Sequence, residues 1–286
     1  MISNFDELLE LVKGRPEQRV ALVSAEDEYL IEAAVKCQAL GLARFILIGD
    51  AKKIGRLLAE SDQQFDIVDS DSPAQDAIAL IQANRADLLM KGRITTGELL
   101  KAVLNKTSGL RQGKLLNHIA VIESPFYHKF LFISDGGINL SFDEQTYEHM
   151  IRNIADYLKR LDITHPRFGM MTLIETVTES IPETIVARDV VEKMKSEFQI
   201  EGPIAPDVAL SKEAADKKQL DSDIAGDVDV FLMPNTTAAN HLVKGLHALG
   251  GCKVGGVIVG AKVPIILLSR SYDAESKFQS ILLGLA

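Results

Sequence analysis

Residues 20–50 read VALVSAEDEYLIEAAVKCQALGLARFILIGD, and this stretch decides the fold class. Val20–Ser24 is a short apolar run of strand length. Glu28–Leu40 carries helical spacing and is closed by Gly41, and Phe45–Ile48 is a second apolar run closed by Gly49-Asp50. Strand, helix, strand at this spacing is the unit of a parallel α/β sheet.

The same alternation continues outward. Ala51–Leu58 reads as a helix, Phe65–Val68 as a strand, and Pro73–Asn84 as a helix with proline at its favoured start. Leu88–Met90 is a strand running into Lys91-Gly92, and Thr95-Thr96-Gly97-Glu98 supplies a capping box for a helix to Leu104. Asn105–Lys114 is polar and turn-rich, and a domain boundary is placed there. His118–Ile122 and Phe130–Ile133 then flank Ser124-Pro125-Phe126-Tyr127 as a hairpin. Beyond it, Asp143–Leu161, Ile185–Phe198, Ala238–Leu249 and Ala274–Leu285 read as helices. Phe168–Leu173, Val228–Met233, Val257–Val259 and Ile265–Leu268 read as strands. The expected domains are 1–115 plus 264–286, and 116–263.

The chain has 286 residues, enough for one large or two smaller α/β units with a full core. The net charge is −9, with 31 basic and 40 acidic residues and no basic stripe, which argues against a nucleic-acid partner. Cys37 and Cys252 sit in apolar contexts and read as buried free thiols. No apolar run reaches the ~18 residues of a membrane span, and the N-terminus lacks a signal-peptide pattern, so a cytoplasmic protein without a membrane partner is expected.

In open α/β sheets ligands bind at the carboxyl ends of strands. The first candidate is Leu267-Leu268-Ser269-Arg270-Ser271-Tyr272-Asp273, where a buried strand delivers Ser269 and Arg270 and Asp273 caps the next helix. A guanidinium beside a helix start suits an anion; the plainer reading is a turn serine and a surface ion pair. The second is Lys91-Gly92-Arg93, where the glycine would let a phosphate approach the backbone, although the Walker spacing is absent and a solvated loop fits equally. The third is Asn240 with Lys244, four apart on one helix face with His247 extending the stripe; a solvated face is the alternative. Asp223 and Asp227 have the spacing of a metal pair but read better as a turn before a strand, and no metal is expected. The six histidines show no ligand spacing.

Taken in order, these segments resemble the phosphate acetyl/butyryltransferase family, closest to its phosphate butyryltransferase branch. The likeness rests on Ala86-Asp87 through Met90-Lys91-Gly92 and Thr95; Gly109-Leu110-Arg111; Ser134-Asp135-Gly136; and Glu201-Gly202-Pro203 through Asp207. It continues in Ala225–Val230, Asn240 with Lys244, Gly255–Val257 to Gly260–Pro264, and Ser269-Arg270. The resemblance implies a two-domain, three-layer αβα fold of the isocitrate/isopropylmalate-dehydrogenase type with a cleft between the domains. It also implies transfer of a butyryl or similar short or branched acyl group between coenzyme A and inorganic phosphate, with coenzyme A as substrate, no tightly bound cofactor, and a homodimer or larger homo-oligomer. Ser269, Arg270 and Glu275 are the implied catalytic residues. Lys91, Gly92, Thr95, Arg111, Asp135, Asn240 and Lys244 are the implied substrate or coenzyme A contacts. The aspartate that phosphotransacetylases carry seven residues after the serine is Ser276 here, as the butyryl branch also lacks it. Two other readings remain open: a metal- and nicotinamide-dependent hydroxy-acid dehydrogenase on the same fold, and a non-catalytic metabolite-binding relative.

Overall fold

The computed structural model describes residues 2–111, 115–140 and 142–286. The last three residues of the turn-rich stretch at the expected boundary lie outside the described residues. The chain divides into two compact units. The first holds Phe5 through the polar stretch together with Gly255–Ala286; the second holds Leu115–Val254 with the extreme N-terminus.

In the first unit the chain runs through α1 (Phe5–Lys13), β1 (Gln18–Val23), α2 (Glu28–Ala39), β2 (Ala43–Gly49) and α3 (Ala51–Leu57), then β3 (Asp66–Asp69), α4 (Pro73–Gln82), β4 (Leu88–Lys91) and α5 (Thr96–Val103). In the second unit it continues through β5 (Asn117–Glu123), β6 (Leu131–Ser134), α6 (Glu144–Lys159), β7 (Arg167–Met171) and α7 (Pro182–Met194), then β8 (Gln199–Ile204), α8 (Pro206–Leu210), α9 (Lys212–Lys217), β9 (Val230–Leu232) and α10 (Thr236–Ala248). It returns to the first unit through β10 (Lys253–Val259), β11 (Ile265–Ile266) and α11 (Ala274–Leu285).

The strand–helix–strand reading of residues 20–50 is what the fold uses: β1 and β2 pair in parallel, Val20 opposite Phe45 and Val23 opposite Ile48. Strand order in the first unit is β3-β2-β1-β4-β11-β10. The chain winds outward from β1 to β3, then crosses to the other side of β1 with β4. That makes β1/β4 a topological switch point, where the connections leave in opposite directions and a crevice opens at the carboxyl ends. β11 continues in parallel with β4, Ile265 opposite Leu89, while β10 is antiparallel to β11. The carboxyl ends of β1, β4 and β11 therefore share one edge.

Helix α11 is buried on every side from Ser276 to Leu285, as expected of a helix sealed into a core rather than laid on a surface. Gly255 permits this. A Cβ there would stand 2.6 Å from Leu283 Cδ1 and 3.3 Å from the Gln279 carbonyl carbon. The contact is closed by the Gly256 amide donating to Ser280 Oγ at 3.0 Å.

In the second unit β5 and β6 form the expected antiparallel hairpin, and β6, β9, β7 and β8 follow in parallel. Two differences from the sequence reading have simple causes. β8 lies at the sheet edge with only Ile200 and Ile204 buried, so it lacks the apolar run of a central strand. α8 and α9 are five and six residues long, too short to show a periodicity.

Candidate active site

A pocket in the first unit opens where the switch point predicts one. Each wall comes from a strand end: Asp27 follows β1, Lys91 and Gly92 end β4, and Ser269 and Arg270 follow β11. Leu30, Met90, Ile266 and Leu268 make its apolar side, and Lys277 enters from α11.

Lys91 is 7% exposed, and its Nζ makes one hydrogen bond, to the Gly92 carbonyl at 3.2 Å. Burial, the Arg270 guanidinium and the Lys277 ammonium all push its pKa below the usual lysine range, and Asp27 acts against them. Gly92 lines the pocket, and it has a second reason for being glycine that the sequence did not reveal. Its amide already donates to the Val23 carbonyl at 2.8 Å, and a Cβ would stand 2.1 Å from the Ser24 carbonyl oxygen. The glycine lets β4 run against the end of β1.

Ser269 is half-buried and shares a 3.0 Å hydrogen bond with Ser271. Arg270 is exposed, and among the described residues no carboxylate pairs with it, so the surface-ion-pair reading of this segment is not what the structure adopts. Asp273 caps α11 as expected, accepting from the Ser276 amide at 2.8 Å.

Asp27 and Lys277 were not among the residues singled out from sequence. Asp27 is the N-cap of α2, its Oδ1 accepting from the Leu30 amide at 3.1 Å and from Lys277 Nζ at 2.9 Å. Lys277 is 3% exposed and lies 5.1 Å from the Tyr29 ring centroid. The available signal was a lone lysine in a helix that is otherwise core.

The remaining candidates stand elsewhere. Glu275 does not line the pocket; its carboxylate meets Lys36 Nζ at 2.5 Å on the surface. Thr95 is spent on its capping box, with Oγ1 to Glu98 Oε2 at 2.5 Å and the Glu98 amide to Oγ1 at 3.2 Å. The Glu98 carboxyl is held below its usual range mainly by the Thr95 hydroxyl and the Thr95 amide, both of which donate to it. Arg111 is exposed and bridges Ala261 through its backbone.

Asp135, Asn240 and Lys244 belong to the second unit. Asp135 is fully buried, and its carboxylate accepts from the amides of Gly137 and Ile138 and from Asn139 Nδ2. It shapes its own loop and has little left for a ligand. Asn240 donates to the Gly136 carbonyl at 3.1 Å, and Lys244 is exposed. Asp227 is taken up by Lys129 at 2.7 Å, by Arg167 and by the His128 ring at 3.0 Å, at the amino ends of β6, β7 and β9, while the Asp223 amide donates to Glu201 at 2.9 Å.

The family model described as phosphate acetyl/butaryl transferase matches residues 66–285. A phosphate butyryltransferase of Clostridium acetobutylicum is 33% identical over 295 residues, covering 99% of this chain and 98% of that one. One of Clostridium beijerinckii is 35% identical over 295 residues, covering 99% and 97%. Among solved structures, a branched-chain phosphotransacylase from Enterococcus faecalis V583 superposes with a TM-score of 0.83 at 27% identity, covering 93% of this chain and 97% of that one.

Proposed function

The chain belongs to the phosphate acetyl/butaryl transferase family, and from that premise we propose that it moves a short or branched acyl group between coenzyme A and inorganic phosphate at the first unit's pocket. The observation that carries this reading is Arg270, without a carboxylate partner among the described residues, lining one pocket with the buried Lys91. A phosphate oxygen attacks the thioester carbonyl carbon. The carbonyl oxygen becomes an oxyanion, the C–S bond breaks, and acyl phosphate and a thiolate leave. Both the phosphate and the oxyanion are negative, so the pocket's main task is to hold cations ready. A preorganised donor of this kind lowers the barrier by roughly 3–4 kcal/mol.

Arg270 and Lys91 take the phosphate and oxyanion charge, and the Ser269 hydroxyl donates a hydrogen bond to the tetrahedral intermediate or the departing sulfur while keeping its proton. A thiolate whose conjugate thiol has a pKa of about 8.5 is already a fair leaving group, so a general acid is not the largest requirement. We assign Arg111, Asn240 and Lys244 to coenzyme A or acyl-phosphate contacts, and Thr95 and Asp135 to shaping the loops that bear them. Support for a butyryl-type or branched acyl group comes from the names of the similar proteins: two phosphate butyryltransferases and a branched-chain phosphotransacylase.

We read the two units as the two domains of an isocitrate-dehydrogenase-like αβα fold, acting in the cytoplasm. No helix among the described residues is long and apolar enough to cross a membrane. A homodimer or larger homo-oligomer is part of this reading. The test is an assay of butyryl-, isobutyryl- and acetyl-CoA with phosphate, following free thiol. Phosphate-dependent thiol release is expected, and its absence with all three substrates would refute the reading.

A further inference from the structure

We propose that Lys277, held by Asp27, is a direct ligand of the substrate's phosphoryl group and completes with Lys91 and Arg270 a subsite selective for doubly charged tetrahedral anions. The proposal rests on the acyl-transfer reading above and adds to it two residues and a charge rule.

The argument begins with position. Lys277 lies in the first turns of α11, inside a helix whose residues from Ser276 onward are all buried. A charged side chain is seldom left there without a partner. Its partner is Asp27, yet the pair is not sealed into the core: both residues line the pocket that Lys91 and Arg270 line. Lys277 thus lines the site, and the Asp27 carboxylate fixes where its ammonium points. Asp27 is anchored in turn by capping α2, so two helix starts converge on one lysine.

Charge follows from the same four side chains. Three cations face one carboxylate, leaving a net charge of about +2 against the apolar wall of Leu30, Met90, Ile266 and Leu268. Glu98 comes near enough for Arg270 to influence it, but its carboxylate is bound to Thr95 and it does not line the pocket. Like charges gathered beside an apolar surface repel strongly, because the medium screens them poorly. The lowered pKa of Lys91 comes first from its burial and then from that repulsion. A singly charged ligand would neutralise half of the excess, whereas a phosphoryl dianion neutralises all of it. Its oxygens also offer acceptors to three donors on three sides.

A buried ion pair that served only the fold would be replaceable by neutral or apolar groups of similar volume, and this separates the two roles. Lys277→Met alone leaves Asp27 without its counter-charge, so the double variant Asp27→Asn/Lys277→Met carries the test; asparagine caps a helix as well as aspartate does. Binding of inorganic phosphate is measured by calorimetry on the wild type and both variants, with sulfate and nitrate as competitors, together with KM for acyl-CoA. Losing a charged hydrogen bond weakens binding by about tenfold or more. We expect the folded double variant to bind phosphate at least that much more weakly, with KM for acyl-CoA within about threefold of wild type. On the wild type we expect sulfate to displace phosphate and nitrate to fail.

Wild-type phosphate affinity in the double variant, equal competition by nitrate, or no phosphate binding by the wild type would each overturn the proposal. Failure of the reading beneath it looks different. Lys277-dependent phosphate binding without thiol release from any acyl-CoA would remove the acyl-transfer reading and leave the subsite standing.

Discussion

The carboxylate of Glu275 meets the ammonium of Lys36 at 2.5 Å, an exposed ion pair joining α11 to α2. The pair commits the one glutamate beside the Ser269-Arg270 segment to the surface, while the carboxylate that lines the pocket is that of Asp27. Replacing Glu275 with Gln should therefore leave turnover within about twofold of wild type. Stability should change by no more than an exposed pair allows, less than about 1 kcal/mol. A loss of tenfold or more in kcat at unchanged stability would put Glu275 back among the catalytic groups.

Lys91 should stabilise the substrate complex at the expense of the free protein. Its folded-state pKa lies below the unfolded value of 10.5 because burial and two neighbouring cations disfavour the charged form. Between the folded and unfolded pKa values the unfolded chain binds more protons, so the contribution of Lys91 to stability rises with pH across that window. Lys91→Met should consequently melt higher than wild type near pH 7, with an advantage that shrinks as pH approaches 10. The same variant should lose most of its activity. Thermal melts of both proteins from pH 7 to pH 10 check the sign, and an advantage that grows with pH would refute it.

Arg111 tests the coenzyme A assignment. Its side chain is exposed and its backbone is fixed by the bridge to Ala261, so Arg111→Ala should not disturb the fold. Removing binding common to ground and transition states raises KM and leaves kcat nearly unchanged. Steady-state kinetics with varied coenzyme A should show that pattern, and an unchanged KM would remove Arg111 from the site.

The sequence made the first unit's pocket only partly legible, for reasons that can be named residue by residue. Lys91 and the Ser269-Arg270 pair could be found because apolar runs of strand length deliver them to the carboxyl edge of the sheet. The hairpin of β5 and β6 was readable for the same reason: two apolar runs around a proline-containing turn. Lys277 was not, since its place in the pocket depends on the packing of α11 against α2, which no local pattern records. Asp27 caps α2, and its pairing with Lys277 appears only when α11 is in place. Gly92 shows a second reason for being glycine that the sequence did not reveal: a Cβ there would meet the carbonyls of Val23 and Ser24. The acidic run around Asp227 drew attention as a metal site, but Lys129 and Arg167, distant in sequence, had already claimed it.

The account stands on the pocket at the ends of β1, β4 and β11 being the acyl-transfer centre, and Arg270 is its most exposed test. Arg270→Gln keeps hydrogen-bond donors and most of the volume while deleting the charge. Because the residue is exposed and makes no ion pair with a described residue, its loss should leave the fold intact. Turnover of butyryl-CoA with phosphate and the melting temperature, measured on one preparation of wild type and variant, decide the matter. The account predicts a fall in kcat of about 10²–10³-fold, the size expected when one preorganised donor is lost, with a melting temperature unchanged to within about 2 °C. Full turnover in the Gln variant would contradict it.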